Sequence, residues 1–432
     1  MSEIVRFSVS LEDDLLEQFD RFCSDEEFAT RSEAVRQLIR DTLTTRAWES
    51  ESGDVAGTRV AGDAAAITRL QENAVHYFQR PDADYLDLDP AATALSGHGG
   101  SANFSKIGGE RVRFSANYGY KTPGFEANDL GFQRRADERN MSHWFQWRDN
   151  MPGRYVRSWM INLNQWAGWN FGGDRLYSGG NVNMHWTFQN NWRAGFGLNG
   201  NGAGLRDRST RGGPAVRSNA NISLWHYFDL DDRRALTPGY NGYYERDGQG
   251  TVRLNANPKL TWRPSRALRL EGGVRLNRNS DDAQWVENVT DDEGQPHYLF
   301  GRLEQRTVAM TLRANYTMSP TLSFQSYAEP FVSAGRYSRF RELTSGRAAD
   351  YQTRYQPFAY DDNADFNFHS FRTTNVLRWE FKPGSALFVV WQQGRQERGD
   401  RGDFRFGRDF GDLFSAPSRD VVLVKFSYWF NY

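Results

Sequence analysis

Cysteine is almost absent: Cys23 is the only one in 432 residues. An intrachain disulfide and a cysteine-based zinc site are therefore excluded. Long apolar runs are also lacking. The longest is Ala386 to Trp391, far short of the roughly 18 residues that a membrane-crossing helix needs. There is no excess of one charge, with 53 Lys+Arg against 54 Asp+Glu, which excludes a globally basic nucleic-acid binder. The opening run MSEIVRFSVSLEDD has acids early and no apolar stretch, so no secretory signal is read there. Metalloprotease H-E-x-x-H, P-loop G-x-x-x-x-G-K-[ST] and nucleophile-elbow G-x-S-x-G are all missing. The seven histidines are scattered from His76 to His369. No catalytic constellation, cofactor or metal site is expected. Gly195, Gly197 and Gly200 match G-x-G-x-x-G, but between a period-2 run and a Gly-rich loop they read as strand or turn glycines. What is abundant is aromatic and glycine: 15% Phe, Trp and Tyr and 40 Gly, within only 38% apolar residues. That is too aromatic for disorder and too poor in aliphatics for an ordinary large α/β core.

The chain divides by composition. Residues 1–56 hold 6 Arg, no Lys and 14 Asp+Glu, a net of −8, and the remainder nets +7. Only Trp48 precedes residue 140. In the first segment Val5, Phe7 and Val9 alternate with Arg6, Ser8 and Ser10, a period-2 strand. Leu15, Leu16, Phe19 and Phe22 then repeat at helical spacing, and Thr30 caps a second helix striped by Val35, Leu38 and Ile39. So small a unit buries little surface alone and needs to dimerise. The run RFSVSLEDDLLEQFDRF, followed by FATRSEAVRQLIRDTL, resembles the ribbon-helix-helix DNA-binding domain, most closely that of the nickel-responsive regulator (NikR) family. The resemblance implies two chains pairing their strands into a ribbon in the DNA major groove. Arg6, Ser8 and Ser10 match its base-reading positions, and Thr30, Arg31 and Ser32 match its phosphate anchor. Nothing after Gly57 matches that family's metal-sensing domain, so nickel sensing is not carried over. A net charge of −8 makes DNA affinity rest on few contacts and fall strongly with salt.

From residue 59 the period is 2. Val112, Phe114, Ala116, Tyr118 and Tyr120 alternate with polar or small residues, as do Val182–Phe188, Val252–Trp262, Val308–Met318 and Val422–Tyr432. Strands of roughly 10–14 residues, against about 5–6 in soluble proteins, are separated by turns such as Asp247–Gly250 and Asn279–Asp282. The pattern predicts a mainly β fold: an antiparallel membrane-type β-barrel of about 14–16 strands, with the strand-helix-helix unit at its N-terminal side. Aromatics would form interfacial girdles, and the Arg, Asn, Thr and Gln face would line a wet lumen able to hold a small solute. Arg253, Arg313, Arg372 and Arg378 read as partners of neighbouring acids such as Glu380, with an anion-selective lumen as the alternative. Asp281-Asp282 and Asp361-Asp362 read as ordinary loop acids, with Ca²⁺ binding from those loops as the alternative. A soluble propeller or sandwich enzyme is the rival fold.

The words RLQENAVHYFQRPDADYLDLDP (69–90), PGFEANDLGFQRR (123–135), WAGWNFGGD (166–174) and STRGGP (209–214) resemble the barrel domain of a bacterial outer-membrane family of unknown function. Its members place a family-9-like carbohydrate-binding domain before the barrel. The resemblance implies an outer-membrane location and the bilayer and barrel assembly machinery as partners. It supplies no catalytic residue. No sugar-binding domain is read in this sequence, and the resemblance leads to the expectation that the barrel's first strands and export signal are missing as well. The expected division is a DNA-binding unit over 1–48, a junction over 49–64 and the barrel over 65–432. The two resemblances meet at a doubled Val-Ala-Gly, Val55–Gly57 and Val60–Gly62. One reads as cytoplasmic and the other as outer-membrane, which makes the chain a chimera.

Overall fold

The computed structural model describes residues 54–129 and 131–430. The strand-helix-helix unit, with Arg6, Ser8, Ser10, Thr30, Arg31 and Ser32, lies outside the described residues. In chain order the elements are β1 (Asp54–Ala61), α1 (Ala64–Glu72), β2 (Ala94–Lys106), β3 (Val112–Lys121), β4 (Glu138–Asp149), β5 (Val156–Trp169), β6 (Arg175–Phe188) and β7 (Arg193–Gly202). Next come β8 (Leu205–Arg206), β9 (Val216–Arg217), β10 (Asn221–Asp229), β11 (Leu236–Asp247), β12 (Val252–Trp262), β13 (Leu268–Thr290), β14 (Pro296–Ser319) and β15 (Leu322–Leu343). The last are β16 (Tyr355–Pro357), β17 (Phe366–Lys382), β18 (Ser385–Gly399), α2 (Phe406–Ser415) and β19 (Ser418–Ser427).

All but the small β8–β9 hairpin belong to one antiparallel sheet of 17 strands. With three-residue β16 set aside as an addition to β15, every strand pairs with the next in an up-and-down meander, β7 passing directly to β10. The mainly β, antiparallel fold is as the alternation predicts, and four of the period-2 runs lie on strands throughout, while the last is strand only as far as Ser427.

Three expectations need correction. The sheet is not closed: among the described residues β1 pairs only with β2, and β19 only with β18. β1 covers Ala94–Ser101 of β2, so Ala102–Lys106 already have no partner on that side. Strand length is the second. β13, β14 and β15 run to 22–24 residues. The third is Asn279–Asp282, which is not a turn but sits inside β13, next to a register shift at Asp281/Gln284. Arginines hold those acids in the ladder. Asp281 receives Arg253 at 3.0 Å, and Asp282 receives Arg302 at 3.1 Å and Arg341 at 2.8 Å. The stretch 49–64, expected as a junction, carries β1.

Register places the two faces sharply. Phe114, Phe145, Leu163, Val182, Leu198, Leu224, Tyr244 and Leu254 lie directly opposite one another in turn, an unbroken apolar row across eight strands. Most of the row is exposed: Leu198 keeps 56% of its surface and Val182 49%. On the other face Asn164, Asn181, Asn199, Ser223, Glu245, Arg253 and Asn279 form an equally continuous polar row. Its members bond to each other: Asn164 Nδ2 donates to Asn181 at 2.7 Å, Asn199 Nδ2 to Ser223 at 2.8 Å and Arg253 to Glu245 at 2.7 Å. The glycines of the G-x-G-x-x-G match lie in β7. A Cβ at Gly195 would come within 2.5 Å of the Tyr227 ring, and one at Gly197 within 2.4 Å of Trp225. Gly195 and Gly197 are sites where an aromatic ring crosses the backbone, and a Cβ at Gly200 would meet nothing within 4 Å, so the run is ordinary strand.

The meander also separates its connections. At one end they are short: 107–111, 150–155, 189–192, 230–235, 263–267, 320–321 and 383–384. The long ones, 62–93, 122–137, 203–220, 344–365 and 400–417, all lie at the other end.

Candidate functional site

Four of the long connections, 62–93, 122–137, 203–220 and 344–365, meet over the polar face. α1 starts at Asp63, whose carboxylate accepts from the Ala66 amide at 2.7 Å. Beyond the helix the chain turns inward. Buried His76 contacts the Pro123 carbonyl through Nδ1 at 2.7 Å and Glu126 through Nε2 at 3.0 Å.

Arg80, 5% exposed, is the centre. Its Nη1 donates to Asp207 at 2.8 Å and its Nη2 to Asp137 at 2.7 Å. Tyr85 donates its hydroxyl to the same Asp137 oxygen at 2.6 Å, and the Phe171 amide donates to the other at 2.9 Å. Arg135 adds a bond to Asp207 at 3.0 Å. Asp137 has a left-handed backbone, φ 55°, a conformation that these buried bonds fix. Burial and the Asp137 carboxylate raise the Tyr85 hydroxyl well above its usual range. Burial, with Arg135 close by, pushes the neighbouring Arg208 guanidinium down to about 10.

A second arginine straps the cluster from across the sheet. Arg347 reaches Asp82 at 2.8 Å and both oxygens of Asp174 at 2.8 and 2.9 Å. Asp82 also accepts from the Ala215 amide at 3.0 Å. Arg354 donates to the Arg217 carbonyl at 2.8 Å, and Asn288 to the Thr210 carbonyl at 2.8 Å. Beside this cap, a recess of about 590 Å³ is lined by Phe331, Phe366, Phe368, Tyr337, Tyr360 and Arg398. Tyr360 stacks on Phe340 at 4.4 Å and donates to Glu287 at 2.7 Å.

Chemically this is a lock. Asp137 accepts from a guanidinium, a hydroxyl and an amide, and Asp207 from two guanidinium groups, so the two acids tie separate connections together. The four sequence words converge here: Arg80, Asp82 and Tyr85 from the first, Arg135 from the second, Phe171 and Asp174 from the third and Thr210 from the fourth. Their joint role was not read from the sequence, because the partners are separated by 57 and 127 positions. The strand arginines follow the ion-pair reading where a partner is seen: Arg378 bonds Glu380 at 2.6 Å and Arg253 bonds Glu245 and Asp281. Arg313 stands over the Tyr327 ring.

The strap has a pH dependence. The hydrogen bond from Arg347 holds the Asp174 carboxyl below its usual value, with Asn170 assisting and burial opposing. A depressed folded value means that the stabilisation is complete above the usual carboxylate range and is lost as pH falls through the folded value. Proteolysis of the 344–365 connection should therefore accelerate in acid, and Asp174→Asn should raise cleavage at neutral pH and flatten the profile. An unchanged profile in that variant would contradict the assignment.

Fold and site define an antiparallel up-and-down β protein capped at one end by its own loops. Residues 50–432 match the family described as Domain of unknown function (DUF5916), and the chain belongs to that family. Residues 5–46 match the Ribbon-helix-helix protein, copG family. The chain thus joins an N-terminal ribbon-helix-helix domain to a separate domain of another family. Among curated proteins it is similar to some described as nickel-responsive regulators. The protein from Nitratidesulfovibrio vulgaris (strain Miyazaki F) is 52% identical over 58 residues, 13% of this chain and 42% of that protein. The one from Syntrophus aciditrophicus is 54% identical over 57 residues, 13% of this chain and 41% of that protein. The chain spans less than half the length of these relatives. Among solved structures, a NanC porin aligns at a TM-score of 0.19 and 12% identity, covering 58% of this chain and 94% of the porin.

Proposed function

We propose that the sheet from β1 to β19 is the membrane-embedded part of an outer-membrane β protein, closed at its long-loop end by the Arg80 and Arg347 clusters rather than open as a pore. The observation that carries this reading is the exposed apolar row backed by a hydrogen-bonded polar row. In water the exposed row would be an aggregation surface, whereas in lipid it is the required outer face. Aromatics gather on that face toward the short-turn end, where an interfacial belt belongs. Trp147 packs on Trp159 at 5.1 Å, Trp192 on Phe228 at 5.5 Å, and Phe381 on both Trp379 at 5.9 Å and Phe426 at 5.4 Å. Short turns at one end and long loops at the other are the asymmetry of outer-membrane sheets. Hydrocarbon offers no water to free N–H and C=O groups, so the β1 and β19 edges are what insertion has to bring together or cover. The test is heat modifiability. The full chain, refolded in detergent, should migrate faster on a denaturing gel unheated than boiled, and identical mobility would overturn the reading.

A second reading concerns residues 1–48 and rests on the identity of about half over some 57 residues to the regulators. This unit binds DNA as a dimer through Arg6, Ser8 and Ser10, with Thr30, Arg31 and Ser32 on phosphate. Replacing Arg6 by alanine should cost about 1–3 kcal/mol of sequence discrimination in an operator-shift assay. Unchanged discrimination would contradict the ribbon assignment. The two units call for different compartments, which is the chimera reading carried to its functional consequence.

A further inference from the structure

Where helix α2 lies against β17, the structure buries a histidine with nothing to bond to. His369 is 3% exposed, and neither ring nitrogen has a hydrogen-bond partner. Two carboxylates from the helix face it: ligand atoms of His369, Asp409 and Asp412 all lie within 4.8 Å of one another. Asp409 is fully buried. Asn367, two residues along β17 and 1% exposed, also leaves its Oδ1 without a partner. A buried imidazole without partners is costly, and two acids beside an orphaned nitrogen and an orphaned amide oxygen form a donor set.

We propose that His369, Asp409 and Asp412 bind a divalent first-row cation that clips α2 to β17. One imidazole nitrogen and two carboxylates form a mixed nitrogen-oxygen set. It suits Zn²⁺ or Mn²⁺ better than Ca²⁺, which takes six to eight oxygens. The acids keep coordinating capacity. Asp409 accepts from Arg408 Nε at 2.7 Å and Asn367 Nδ2 at 3.2 Å on Oδ1, and from the Arg405 amide at 2.7 Å on Oδ2. Asp412 accepts from Arg401 at 3.0 Å on Oδ2. These bonds orient the carboxylates and leave lone pairs on both. The arginines offset the acids' charge, so a cation here neutralises little and gains chiefly by coordination. His369 lies in register with Val332, Val308 and Leu276, so α2 and the site cover part of the apolar face itself.

The experiment titrates Zn²⁺, and separately Co²⁺, into chelator-treated, refolded full-length protein. Binding is followed by calorimetry and by the visible spectrum of bound Co²⁺. A Cys23→Ser background removes the chain's single thiol. One equivalent should bind. His369→Ala and Asp412→Asn should each weaken binding at least about tenfold, and Zn²⁺ should protect the 400–417 connection from protease in the parent but not in Asp412→Asn. Asp412 is only partly buried and accepts a side-chain hydrogen bond from Arg401, so that variant remains informative if His369→Ala does not fold. No uptake, or uptake unchanged in Asp412→Asn, would overturn the proposal.

Discussion

Replacing Arg80 by alanine should destabilise the folded protein by about 3–5 kcal/mol, because it strands buried carboxylates without their cation. Both of its ion pairs are almost completely enclosed, with side-chain exposures of 2% and 0% for Arg80–Asp137 and 2% and 2% for Arg80–Asp207. Tyr85 and the Phe171 amide still reach Asp137, and Arg135 still reaches Asp207, so the loss is partial for each acid. Lysine should not rescue. A single ammonium cannot present two separate nitrogens in fixed directions to two acids while a third donor bonds the Tyr77 carbonyl. Adding Asp137→Asn and Asp207→Asn to Arg80→Ala should recover part of the loss, since it removes the charges that the missing arginine leaves unpaired. Denaturant unfolding of the refolded protein measures all of these. An Arg80→Ala protein as stable as the parent would mean that the cap does not bear on folding.

Leu198→Arg separates lipid from water by sign as well as size. Leu198 keeps 56% of its surface exposed and sits between Val182 and Leu224 in the middle of the apolar row. In water, an arginine there should change stability by no more than about 0.5 kcal/mol and should improve solubility. At a bilayer midplane it should cost about 2–4 kcal/mol. Refolding into vesicles should then yield a smaller fast-migrating fraction than the parent, while the same arginine in place of Asn181, on the polar face, should be tolerated. If Leu198→Arg refolds into vesicles with parental yield, the apolar row does not face lipid.

Much of the strand architecture was legible because a strand's period is exactly 2. Once Val112–Tyr120 or Val308–Met318 alternate, their faces follow without reference to any partner. The ribbon-helix-helix unit was legible for a different reason, since its word covers contiguous residues. The turn expected at Asn279–Asp282 failed because Asn, Ser and Asp favour turns only when their side chains must satisfy local backbone. Here Arg253, Arg302 and Arg341, from three other strands, take up the acids instead. The clusters at Arg80 and His369 were opaque for the same reason. Neither carries a local motif, and the scatter of histidines from His76 to His369 argued against a metal when only neighbours in sequence were considered.

The amino-acid order alone determined that this chain is two compositions joined near Val55–Gly62, that the larger part alternates greasy and polar side chains along long strands, and that the chain has one cysteine, too few for an intrachain disulfide, and no apolar run long enough for a membrane-crossing helix. These properties depend on near neighbours and on periodicity, which a linear string records. Only the tertiary structure decided which loops fold over the polar face, that Arg80 and Arg347 bind them together, that β1 and β19 are left as edges and that α2 brings two acids to a solitary buried histidine. Those outcomes depend on register between strands and on side chains meeting across as many as 265 positions, distances over which chain connectivity places no constraint on who faces whom.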